Sequence, residues 1–226
     1  HFLGHVMQIG SDELFWPWIW GPGYQVYGND DRTNAMPLRH AREYGGLGGY
    51  VHPVAVADPL TPESASSVPT GFVADAVLGE IDFIELACLW TDEVGTGALW
   101  HEVLNIGVPL AASAGSDVMN DYYRTMAIGA TRVYVKPEGR LTTSSFQKAL
   151  KEGKSIVSNG PLLEFEVAGN GPGEVVDSSD GIVSWSAIVH SALPFERLEI
   201  YVNGTVVETL EGNTQAGSKS FEGSLQ

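Results

Sequence analysis

Cysteine is almost missing: Cys88 is the only one in 226 residues. One thiol makes no internal disulfide, and no Cys-x-x-Cys pair is present to build a metal or redox site. Positive charge is scarce too. Twelve Lys and Arg stand against 28 Asp and Glu, a formal net charge of −16. Such a chain lacks the basic surface that nucleic acids and anionic membranes require, so neither is expected as a partner. A small anionic substrate stays compatible, because one arginine or one bound metal overrides the global field locally. No apolar run approaches the ~18 residues of a membrane span. The fullest, from Ile106 to Gly115, is short and contains Pro109 and Ser113. No Gly-x-Ser-x-Gly nucleophile motif occurs. The chain opens His1-Phe2-Leu3-Gly4, with neither methionine nor a basic-then-apolar leader, and reads as an excised or processed piece. Acidity, few lysines and many aromatics suit an exported bacterial protein, periplasmic or extracellular, better than a cytoplasmic one.

Hydrophobic residues make up 43% of the chain, enough for a sizeable core. Three textures follow one another. The N-terminal part is rich in Trp, Gly and Pro, and the stretch Leu14 to Tyr24 keeps neither a helical nor a strand period. It reads as a long structured loop that either lines a pocket or folds over the mouth of the domain as core. Strands and helices then alternate. Helices are expected over Thr33–Tyr44, Gly97–Ile106 and Thr143–Glu152. Strands are expected at Tyr50–Val51, Ile81–Ala87, Pro109–Ala114, Thr131–Lys136 and Ser155–Ser158. Short connections between alternating elements point to an α/β fold with parallel strands. After Asn159-Gly160-Pro161 only strand-like segments remain, and Asn203-Gly204 between two β-rich arms is a hairpin signal. The expected division is 1–160 for the α/β part and 161–226 for a small antiparallel β module.

Function in α/β folds gathers at the C-terminal ends of parallel strands. His52 falls there, before Pro53. Asp117 falls there, after a small-residue strand and Gly115. Glu85 lies near the end of its strand, and His5 sits beside the strand-like Val6-Met7-Gln8-Ile9. Two imidazoles and one or two carboxylates suit a divalent transition metal, Zn, Mn or Fe, which would activate water for hydrolysis. Taken singly, each residue has a plainer role. His52 before a proline suits a strand end, and Asp117 suits the cap of a helix starting at Met119.

The order of segments adds weight. Gly4-His5-Val6, Gly49-Tyr50-Val51-His52-Pro53, Ile81 to Glu85, Ala114-Gly115-Ser116-Asp117, Arg124-Thr125 and Ala149 through Pro161 occur in series. This series resembles the PHP (polymerase and histidinol phosphatase) superfamily of metal-dependent hydrolases, and within it the carbaryl-hydrolase-like CehA/McbA branch. The resemblance implies a distorted TIM-like barrel, incomplete here, followed by a β-sandwich-like module. It implies His5, His52 and Asp117 as metal ligands, Glu85 as an acidic residue lining or ligating the site, and Arg124 as the group that orients a substrate anion. The implied reaction is metal-assisted hydrolysis of a phosphoester, or of a carbamate, ester or amide, in a small-molecule substrate. The family's N-terminal His-x-His segment is absent, and the position two residues after Asp117 is Met119 rather than histidine. Two expectations follow: an exposed barrel edge that a homo-oligomer would cover, or a degenerate relative that binds without catalysing.

Overall fold

The computed structural model describes residues 3–21, 30–119, 127–178 and 181–225. The N-terminal half builds one open sheet. Its strands are β1 (His5–Ile9), β2 (Leu47–Val51), β3 (Phe83–Ala87) and β4 (Ala111–Ala114), in the order β1-β2-β3-β4. β2, β3 and β4 are parallel, whereas β1 runs antiparallel to β2 with His5 opposite Val51. The sheet is therefore mixed rather than all-parallel. The helices α1 (Ala35–Glu43), α2 (Phe72–Val77) and α3 (Glu93–Asn105) connect these strands.

Local sequence explains these elements. Asn34 stands at the start of α1, but its amide does not cap the helix; it donates to the carbonyls of Leu3 and Gly4 and accepts from Trp20 Nε1. α3 starts a turn earlier than the apolar spacing suggests, because Asp92 accepts from the Gly95 amide and fixes its first turn. A Cβ at Gly95 would overlap the Val56 carbonyl oxygen, so glycine there lets α3 lie against the segment after β2.

β5 (Arg132–Val135) and β6 (Ser155–Ser158) form an antiparallel pair beside β4, joined by α4 (Thr143–Lys151). Among the described residues, β1–β6 form separate four- and two-stranded sheets, not a closed TIM-like barrel. α4 begins with a complete capping box: the Ser145 amide donates to Thr142 Oγ1, and the Thr142 amide donates to Ser145 Oγ.

The C-terminal strands are β7 (Leu162–Val167), β8 (Val183–Ser191), β9 (Phe195–Val202), β10 (Thr205–Asn213) and β11 (Gly217–Leu225). They pair antiparallel as β11-β8-β7 and as β10-β9. The two sheets share a core of Trp185, Ala187 and Ile200, flanked by Phe165, Leu198, Leu210 and Phe221. Asn203 and Gly204 both have positive φ, 52° and 81°, the backbone a two-residue hairpin demands. That hairpin tip meets α3, where Asn105 Nδ2 donates to the Asn203 carbonyl and the His101 ring stacks on Tyr201.

Two cores serve the N-terminal part. Leu38, Tyr50, Phe72, Ile84, Leu99 and Val103 fill one, between the sheet and α1–α3. Leu47, Phe83, Ala111 and Leu150 fill the other, where α4 closes the opposite face. Burying such side chains contributes about 1.5–3 kcal/mol each. The aromatic loop is not core: Trp16 and Trp18 are 74% and 70% exposed. Residues 22–24 of that loop lie outside the described residues.

Candidate metal centre

Because β1 is antiparallel, its first residue lies at the same sheet end as the last residues of β2. His5 therefore arrives beside His52. His5 Nδ1 and His52 Nε2 are 2.9 Å apart, and the rings meet edge to face with centroids 4.7 Å apart. Asp117 follows β4, and its Oδ2 is 3.8 Å from His52 Nε2. Glu85, on β3, lies under this group and is 3% exposed; its Oε2 accepts the His52 amide hydrogen at 2.9 Å. Four residues separated widely in sequence thus meet at the C-terminal edge of the parallel strands.

Backbone strain marks the same place. His52 has φ 32°, a region L-residues other than Asn and Asp seldom occupy, and Asp117, a residue type that tolerates it, has φ 46°. Such strain persists only where surrounding contacts over-determine it. At His52 the contact is the Glu85 carboxylate. At Asp117 it is a hydrogen-bonded turn: Ser116 Oγ accepts from the Gly129 amide and donates to the Thr131 carbonyl, while Thr131 Oγ1 donates to the Gly115 carbonyl. A Cβ on Gly115 would come within 2.7 Å of Glu85 Oε1, so glycine there leaves room for the carboxylate.

Electrostatics follow burial. Burial, and then the neighbouring His52 ring, push the His5 pKa below its ordinary value, favouring the neutral ring. Burial raises the Glu85 pKa, opposed by the hydrogen bond from His52. Cys88, next to this layer, accepts from the Trp90 amide and contacts Thr91 Oγ1; burial raises its thiol to about 11, which leaves it unreactive.

The donor types suit a borderline divalent ion. Separations of 2.9 and 3.8 Å bracket the roughly 3.3 Å between neighbouring ligand atoms in a tetrahedral nitrogen/oxygen site. The arrangement is not a complete coordination set. One imidazole nitrogen donates to the other, so the lone pair an ion would use is engaged. Among the described residues, no group of three or more His, Cys, Asp and Glu is placed to hold an ion. Arg124 lies outside the described residues.

A cleft of about 480 Å³ opens beside the imidazoles, bounded by His5, His52, Pro53 and Ala55 on one side and by Ser66 to Thr70 on the other. Sequence reading missed this second wall, because Ala65–Ser67 is a single 3-10 turn without apolar period. It missed the role of Gly4 as well, where a Cβ would sit 2.7 Å from the Pro69 ring. His40, His101 and His190 lie elsewhere: His40 against Tyr44 and Phe15, His101 on α3, and His190 bonded to Glu164 and Ser218.

No family model matches the chain, and no curated protein matches it. A solved structure to which it is similar is a two-domain protein from Bacteroides vulgatus ATCC 8482 containing a predicted PHP-like metal-dependent phosphoesterase. Identity is 15% and the TM-score 0.42, over 85% of this chain and 57% of that one. The chain therefore spans little more than half the length of that protein.

Proposed function

We propose that this chain carries part of the active centre of a metal-dependent hydrolase of the PHP type. β1–β6 would belong to a distorted barrel of that kind, in its CehA/McbA form. The observation that supports this most is the meeting of His5, His52 and Asp117 at one strand-end edge, with strained backbone at His52. The three side chains would hold a divalent ion of the Zn, Mn or Fe kind once the His5–His52 hydrogen bond opens. When bound, such an ion supplies Lewis acidity and lowers the pKa of water. Glu85 holds the His52 backbone in place, and Arg124 would orient an anionic group. The substrate would be a small molecule with a phosphoester, carbamate, ester or amide bond. An exported location and a homo-oligomer covering the β1 edge are part of the same reading.

A second reading has its own support. The engaged His5–His52 pair, and the lack among the described residues of a group of three ligands placed to hold an ion, suit a non-catalytic binding protein on a degenerate fold of this kind. Calorimetric titration with ZnCl₂ and MnCl₂ separates the two. The hydrolase reading expects stoichiometric binding that is lost in His52→Ala and in Asp117→Ala. No binding, or binding unchanged in both variants, discards it.

A further inference from the structure

The outer face of the C-terminal β module carries a second cluster of side chains able to do chemistry. Ser218 on β11 stands directly opposite His190 on β8, and Ser218 Oγ lies 2.7 Å from His190 Nδ1. His190 Nε2 lies 2.8 Å from Oε1 of Glu164, which sits diagonally across on β7, opposite Ile188. A hydroxyl, an imidazole and a carboxylate from three adjacent strands thus form one chain of hydrogen bonds. Their chemistry fixes the protons along it. An ionised carboxylate only accepts, so Nε2 carries the hydrogen given to Glu164. In the neutral ring Nδ1 is then left to accept the Ser218 hydroxyl hydrogen. A nucleophile, a base within hydrogen-bond reach and a third group that orients the base are the parts of an activated serine. The two ring nitrogens have exchanged places relative to the Ser-His-Asp arrangement of serine proteases, but either serves as base when the other is held as donor.

The cluster is open to a ligand. The His190 and Glu164 side chains are 40% and 60% exposed, and Ser218 is exposed as well. Alternation along the strands puts Leu162, paired with His190, and Ile188, paired with Ser220, on the same face. Both are half-buried and offer a short acyl chain an apolar strip beside the serine. We propose that Ser218 is a nucleophile that takes the acyl group of a carboxylic ester with a short apolar acyl chain and a good leaving group. Ser218 Oγ attacks the ester carbonyl carbon as its hydrogen passes to His190 Nδ1. The bond from that carbon to the leaving oxygen breaks, and the alcohol or phenol departs with the electron pair and takes up the proton. Glu164 stabilises the imidazolium in between. The product is an ester on Ser218. No metal takes part in this step, and the cluster shares no residue with His5, His52 and Asp117.

The test mixes the full chain with p-nitrophenyl acetate in the presence of EDTA, follows the release of p-nitrophenolate, and maps the acetyl group by peptide mass spectrometry. EDTA keeps the metal centre out of the result, so the outcome bears on the serine alone. About one equivalent of p-nitrophenolate per chain is expected, with the acetyl group on Ser218. Ser220 is an internal standard: it lies on the same face of the same strand, but opposite Ile188, and should stay unmodified. His190→Gln should slow acetylation of Ser218 about 100-fold or more, the scale of general-base assistance. Ser218→Ala should abolish the release, and Ser220→Ala should leave it as in wild type. No acetyl group on Ser218, equal labelling of Ser218 and Ser220, or an unchanged rate in His190→Gln overturns the proposal. A cross-strand pair that only holds β11 to β8 would change the urea midpoint in these variants and leave the labelling pattern alone.

Discussion

His52 and Glu85 are joined by one hydrogen bond, from the His52 amide to Glu85 Oε2 at 2.9 Å. It ties the end of β2 to β3 at the point where the backbone of His52 turns left-handed, φ 32°. A buried carboxylate spent on a backbone amide is costly to hold, since burial raises the Glu85 pKa. Its position is explained by what it fixes: the direction in which the His52 ring faces His5 and Asp117.

Removing that carboxylate should disturb His52 more than its conservative replacement does. Glu85→Ala leaves the His52 amide unpaired and is expected to cost about 1–3 kcal/mol of stability. Zinc affinity should fall about 10- to 100-fold, as when a group that orients a ligand is lost. Glu85→Gln still offers an oxygen to the amide and should retain most of both. Urea unfolding and zinc calorimetry on the two variants measure this.

Gly95 shows the same dependence on close approach at α3. Its Cα faces the Val56 carbonyl with no room for a methyl group. Gly95→Ala should push α3 from the segment after β2 and destabilise the chain by about 1–3 kcal/mol, as overpacking does. Gly97, four residues from His101 on the same helix, has nothing within reach of a Cβ. Gly97→Ala should therefore stabilise the helix by up to about 1 kcal/mol. Opposite signs in thermal unfolding of the two variants check the argument.

These particulars show what was legible beforehand. Strong local chemistry could be read: the Asn203-Gly204 hairpin, the start of α4 at Thr143, and the small residues before Gly115-Ser116-Asp117 all sit as expected. Strand direction could not. Five residues of β1 carry the same period whether they pair parallel or antiparallel, and only the fold shows His5 opposite Val51. α2 escaped because its six residues are too few to display a helical repeat, and Gly71 before it offers no capping side chain. Trp16 and Trp18 misled through composition: aromatic residues suggest core, yet proline and glycine around them deny the loop a regular face to pack.

The α4 start offers a simple stability measurement. Thr142 and Ser145 satisfy each other's backbone amides, and Leu150 at the other end of α4 is fully buried under the sheet. Thr142→Ala should cost about 1 kcal/mol, whereas Thr142→Asp should keep the cap and cost little. Equal losses in urea unfolding would mean that the packing of Leu150, not the cap, sets the stability of this helix.

Two carboxylates near one another should give opposite pH signatures. Glu80 accepts from Arg39 Nε and is paired with its guanidinium, which holds its pKa below the ordinary value. Its contribution is present above the unfolded carboxylate pKa, about 4.3, and is lost as pH falls through the lower folded value. Glu80→Gln should thus melt lower than wild type at pH 7, with the difference narrowing as the pH falls below the unfolded carboxylate value. Asp75 is different. Burial raises its pKa, against the opposing hydrogen bond from Tyr50 Oη at 2.7 Å. The folded state then holds the Asp75 proton more tightly than the unfolded chain, so this stabilisation is full below the unfolded pKa and lost as pH rises through the folded one. Asp75→Asn can still accept from Tyr50 and has no charge to bury. It should melt higher than wild type at pH 7 and no higher at pH 3. Melting curves of both variants at the two pH values decide this. A Glu80 difference that persists in acid, or an Asp75→Asn protein less stable at pH 7, would mean that packing rather than charge governs the two positions.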